Sequence, residues 1–79
     1  MPIKLVIDTS GTRCPIPLLK AKQALRTLET GECLKVISTD PSSVGDFVAM
    51  LEHLPHTLVS SEQRDGPEHK IYEFVIKKG

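Results

Sequence analysis

Ile3-Lys4-Leu5-Val6-Ile7-Asp8, then Thr9-Ser10-Gly11-Thr12-Arg13, then Cys14-Pro15-Ile16-Pro17-Leu18 is the stretch that decides the fold, because the hydrophobic period changes within it. The first six residues are apolar or β-branched at most positions, which suits a strand buried on at least one face. The next five read as a loop. From Pro15 onward, Leu18, Ala21, Leu25 and Leu28 fall three and four apart and make one apolar stripe of a helix. Gly31 stands where a C-cap would end it.

Working outward, residues 33–37 (Cys33-Leu34-Lys35-Val36-Ile37) predict a second strand, and Ser38-Thr39-Asp40-Pro41 predicts the start of a second helix. Asp40 is suited to be its N-cap and Pro41 its first helical residue, where a missing N–H costs no helical bond. Val44, Phe47, Val48 and Leu51 form the expected buried stripe, and Leu54-Pro55 stops the helix. Residues 56–60 and 71–76 predict two final strands around a polar, glycine-containing turn over 62–70.

The order βαβαββ predicts an α/β (α+β) two-layer sandwich, with both helices on one face of the sheet. A βα crossover makes the first two strands parallel, so both helix N-termini fall at one sheet edge and Cys14 and Asp40 share a rim. Ligands of α/β proteins gather at such strand C-terminal edges.

The chain has 79 residues, the size of one domain spanning 1–79, with only a thin core available to it. Lys+Arg and Asp+Glu both total 10, so no overall field draws it to nucleic acid or to an anionic membrane. The apolar runs are too short to span a bilayer, and Met1-Pro2-Ile3-Lys4 lacks the features of a signal peptide, so the expected location is cytoplasmic. The two cysteines form no Cys-x-x-Cys pair. Cys14, Cys33, His53, His56 and His69 are too scattered for a structural zinc site, so no metal is expected.

Cys14-Pro15-Ile16-Pro17 is the chemically informative run. A helix's first amides have no carbonyl four residues back, so prolines at its first and third positions sacrifice nothing and fix where it begins. Cys14 then becomes the N-cap. The positive end of the helix dipole and the adjacent Arg13 predict a thiol modestly more acidic than a free cysteine. The plainer alternative is a small buried side chain that happens to precede a helix. Cys33, within a strand and without an adjacent cation, reads as structural.

Gly11-Thr12-Arg13-Cys14-Pro15-Ile16-Pro17, followed by Gly31-Glu32 and Thr39-Asp40-Pro41, resembles the TusA/SirA-like family of sulfur carriers over nearly the whole chain. The family commonly has Leu at the position of Thr12 and a second Asp at that of Thr39. The resemblance implies a mixed four-stranded sheet with the last strand antiparallel, similar to the C-terminal domain of a bacterial translation initiation factor. It implies that Cys14 receives sulfane sulfur as a persulfide, without a cofactor. The donor would be a cysteine desulfurase or rhodanese-like protein, and an acceptor protein would take the sulfur onward. Asp46 and His56 are weaker counterparts of family positions and read as structure or partner surface.

Around that cysteine, Gly11, Arg13, Pro15, Pro17, Asp40 and Pro41 are the expected supporting residues. Arg13 is either an anion stabiliser or a solvated cation, and Asp40 suits a cap better than a catalyst. Lys20, Lys22, Gln23 and Arg26 make the outer face of the first helix basic, which is either solvation or a docking face for an acidic partner. Two other functions compete. A regulatory or RNA-binding module fits the translation-factor-like architecture, but few aromatic residues are present to stack on bases. A redox pair of Cys14 and Cys33 requires Cα atoms within about 7 Å.

Overall fold

The computed structural model describes residues 3–79; Met1 and Pro2, used above in reading the chain start, lie outside the described residues. The elements are β1 (Ile3–Asp8), α1 (Ile16–Arg26), β2 (Cys33–Ser38), α2 (Ser43–Leu51), β3 (Thr57–Asp65) and β4 (Lys70–Lys77). They form a mixed four-stranded sheet in the order β1-β2-β4-β3. β1 and β2 are parallel, whereas β4 runs antiparallel to both β2 and β3.

Strand alternation turns Leu34 and Val36 of β2 and Tyr72, Phe74 and Ile76 of β4 toward the helices. There they join Ala21, Ala24, Leu25, Leu28, Phe47 and Leu51 in one buried cluster. Both helices therefore cover the same sheet face. Phe47 of α2 stacks on Phe74 of β4, with ring centroids 4.6 Å apart at 26°.

Five expectations change. α1 begins at Ile16 with Pro15 as N-cap, so Cys14 lies outside the helix and Pro17 is its second residue. The Ile16 amide donates to Arg13 O at 2.9 Å, closing a turn before the first helical bond, from Leu19 N to Pro15 O at 3.0 Å. α1 ends at Arg26 with Thr27 as C-cap, and Gly31 serves the later turn into β2 instead. Its φ of +91° suits glycine, and its N–H donates to Lys78 O at 2.8 Å.

α2 begins at Ser43 with Ser42 as N-cap, past Asp40 and Pro41. Its buried face is Ser43, Phe47 and Leu51, which leaves Val44 and Val48 exposed at 38% and 44% rather than in the core. Finally, β3 continues past Ser61 through Glu62-Gln63-Arg64-Asp65, which composition assigned to a turn. Pairing with β4 along the whole strand outweighs that polarity, and the turn shrinks to residues 66–69. On this sheet Glu73 pairs with Lys35 at 2.6 Å and with Arg64 at 2.9 Å, which pushes the Glu73 carboxyl below its ordinary pKa.

Candidate functional site

Parallel β1 and β2 carry both following loops to one rim, as expected, and hydrogen bonds join those loops. Thr9 anchors the first to β2: its N–H and hydroxyl both donate to Ile37 O, at 2.8 and 2.6 Å. Gly11, with φ at +81°, turns its N–H onto Thr39 Oγ1 at 2.9 Å. Thr39, one of the positions that departs from the family pattern, thus accepts a bond that a carboxylate could also take. Thr12 donates its hydroxyl to Thr9 O at 2.6 Å.

Asp40 carries the closest link. Its Oδ2 accepts the Cys14 amide at 2.8 Å, while Oδ1 accepts the Ser42 amide at 3.0 Å and the Ser42 hydroxyl at 2.9 Å. These donors, Cys14 first, hold the Asp40 carboxyl below its ordinary pKa, and the nearby Arg13 charge adds to the effect. Asp40 thus caps the chain entering α2 through Oδ1 and the cysteine loop through Oδ2, although the N-cap position itself falls at Ser42. Beneath it, Ser38 and Ser43 share a buried hydroxyl hydrogen bond of 2.7 Å, and Ser38 Oγ accepts the Asp40 amide at 3.1 Å.

Cys14 is exposed with a free thiol, preceded by exposed Arg13 and followed by a cis peptide bond to Pro15. Pro17 is fully buried and seats the start of α1 on the core, while Pro15 and Pro41 are exposed. The thiol does not have the expected acidity. Its pKa is raised, first by a hydrogen bond to the Asp46 carboxylate, then by desolvation and the negative charges of Asp46 and Asp40. The dipole expectation failed because Cys14 precedes the helix, Pro17 has no N–H to offer, the Ile16 amide is spent on Arg13 O, and two carboxylates stand closest.

Asp46 is thus a site residue that sequence reasoning assigned to structure or partner surface. Its signal was its place in the first turn of α2, at the rim that Cys14 occupies. Asp46→Asn is expected to lower the Cys14 pKa, because it removes the anion that favours the protonated thiol. Alkylation rates measured against pH would shift toward lower pH in the variant, and an unshifted profile would remove Asp46 from the site.

Between the two rim loops lies an open cavity of about 300 Å³. Gly11, Thr12 and Arg13 form one wall, Thr39, Asp40 and Pro41 another, and His69 of the β3–β4 turn contributes from the hairpin. The sequence offers His69 only as a scattered zinc ligand. The antiparallel run of β4 against β2 brings its turn to this rim, which only the strand order reveals.

The remaining sequence-picked residues lie away from the thiol. Cys33 is 1% exposed at the start of β2. At about 3.3 Å per residue, the length of that strand separates it from the Cys14 rim by about 16 Å, beyond disulfide reach. His56 stands at the far end of the sheet, where Nδ1 accepts the Gly79 amide at 3.0 Å. Lys20, Lys22 and Arg26 are exposed along α1. Among the described residues no cluster of three or more metal-ligating side chains occurs, and no helix is long and apolar enough to cross a membrane.

A small two-layer α+β fold that presents one exposed cysteine on a hydrogen-bonded rim defines the class of protein. Within that class, residues 5–78 match the family described as Sulfurtransferase TusA, and the chain belongs to that family. It is 42% identical over 72 residues to the sulfur carrier protein TusA of Allochromatium vinosum, covering 91% of this chain and 90% of that one. It is 38% identical over 71 residues to a putative sulfur carrier protein of Neisseria meningitidis, covering 90% of each. A crystal structure of a SirA-like protein from Desulfitobacterium hafniense superposes with a TM-score of 0.72 at 30% identity, covering 95% of this chain and 97% of that one. Membership supports a sulfur carrier role, with a sulfur donor and a sulfur acceptor as its protein partners.

Proposed function

We propose that the chain, acting as one domain over 1–79, carries sulfane sulfur as a persulfide on Cys14. The observation that carries this reading is an exposed cysteine, fixed through its own amide to Asp40, in a member of a sulfur carrier family. The Cys14 sulfur attacks the outer sulfur of a donor persulfide. A new S–S bond forms, the donor's S–S bond breaks, and the donor departs as a thiolate that takes up the proton Cys14 gives up. An acceptor cysteine then attacks the outer sulfur of Cys14-S-SH and returns Cys14 to the thiol. No cofactor enters this displacement.

The donor is a cysteine desulfurase or a rhodanese-like protein, and the acceptor belongs to tRNA thiolation, molybdenum-cofactor or sulfur-oxidation chemistry in the cytoplasm. Asp46 and Asp40 favour the protonated thiol, so Cys14 gives up its proton as it attacks the donor persulfide. Gly11 and Pro17 keep the loop in place, and Arg13 offsets the charge of Asp40.

Mass spectrometry after incubation with a cysteine desulfurase and cysteine tests the reading. A gain of one sulfur atom, reversed by reductant, is expected; a wild-type chain that gains none would overturn it. Lys20, Lys22 and Arg26 serve as a docking face for an acidic partner surface. Transfer rates are therefore expected to fall as ionic strength rises through the physiological range, and rates indifferent to salt would remove the docking role.

A further inference from the structure

We propose that Lys22, Arg26, His56 and Lys78 form a binding site for a phosphate-type oxyanion at the end of the molecule opposite Cys14. These residues, with Leu25 and Leu54, line a cavity of about 190 Å³. β2 begins, β4 ends and β3 begins at this end, since Lys77 pairs with both Cys33 and Thr57. The cavity is thus distinct from the sulfur site.

Three cations and a histidine line it, and no Asp or Glu side chain does. Among the described residues the ion pairs are Lys4–Glu32, Lys35–Glu73 and Arg64–Glu73, none of which involves these cations. Lys78 Nζ donates to Leu25 O, which covers that carbonyl and holds the ammonium at the wall. His56 accepts the Gly79 amide on Nδ1, so its neutral ring carries the proton on Nε2 and can donate from there. Burial first, and then the Lys78 charge, hold His56 below its ordinary pKa.

Arg26 in the last turn of α1 also complements the negative end of that helix dipole. That accounts for one cation but not for Lys22 or for the His56 donor. A tetrahedral oxyanion can accept charge-assisted hydrogen bonds from several of these groups at once. At about 30 Å³ per water the cavity holds about six, room for one such group with residual hydration. Leu25 and Leu54 supply an apolar wall for the carbon of a phosphate ester.

The site can be tested by NMR titration of the full chain with inorganic phosphate and, separately, with AMP, at constant ionic strength. Saturable shifts confined to Lys22, Arg26, His56 and Lys78 are expected, with the His56 pKa rising as the anion binds. Tighter saturation by AMP would assign the site to an esterified phosphate, and equal or tighter saturation by phosphate to the free ion. Lys22→Ala with Arg26→Ala, both at exposed positions, should weaken binding about tenfold or more. Shifts that stay linear and spread over all lysines, or an unchanged isotherm in the double variant, would overturn the proposal. The readout needs no sulfur transfer, so its failure is separate from any failure of the carrier reading.

Discussion

Cys14→Ser is expected to abolish sulfur loading completely while leaving the unfolding midpoint where it stands in the wild type. The thiol is exposed and lies outside the buried cluster. The contact that holds the loop is the Cys14 amide to Asp40 Oδ2, which serine keeps. A hydroxyl cannot form a persulfide, so the loss is absolute. Cys33→Ala gives the opposite test, because Cys33 is buried and separated from the rim by the length of β2. That variant should retain the gain of one sulfur atom. Sulfur retained in Cys14→Ser, or lost in a folded Cys33→Ala, would assign the cargo to the wrong cysteine.

Phe47→Ala is expected to have the largest effect on stability, about 3–5 kcal/mol by analogy with other buried Phe truncations. Phe47 is fully buried and stacks on Phe74 of the sheet. Native domains have about 5–15 kcal/mol in total, and a chain with so thin a core belongs at the low end. The variant should therefore be substantially unfolded at ordinary temperature. Urea unfolding followed by circular dichroism measures this, and a midpoint close to the wild type would show that the core relaxes around the cavity. Because α2 carries Asp46 and follows directly on Asp40, residual folded protein should also show a more acidic Cys14.

The order of elements was legible in the sequence because the hydrophobic period switches cleanly between β1 and α1 and between β2 and α2. Cys14 and Asp40 could be placed on one rim because parallel strands leave no other arrangement. What could not be read was anything set by contacts distant in sequence. The second half of β3 is polar, and only its pairing with β4 makes it a strand. Val44 and Val48 have the right character for a core but lie one step around the helix from the face that Phe47 and Leu51 bury.

The acidity of Cys14 was misread for the same reason. Local sequence offers a helix start and an arginine, both favouring the thiolate. Asp46 lies beyond a strand and a turn, and it decides the sign. Asp40 invited a local reading as the α2 cap, yet its carboxylate reaches across to the Cys14 amide. His69 came to the rim through the hairpin, which no local spacing announces.

The hydrogen bond from the Cys14 thiol to Asp46 also bears on how the protein survives between rounds of work. Peroxides and other oxidants attack thiolates far faster than thiols, and an exposed cysteine is otherwise an easy target for conversion to sulfenic and higher acids. A carboxylate that raises the thiol pKa lowers the thiolate fraction open to such attack. The carboxylate that disfavours the Cys14 thiolate thus also disfavours its oxidation.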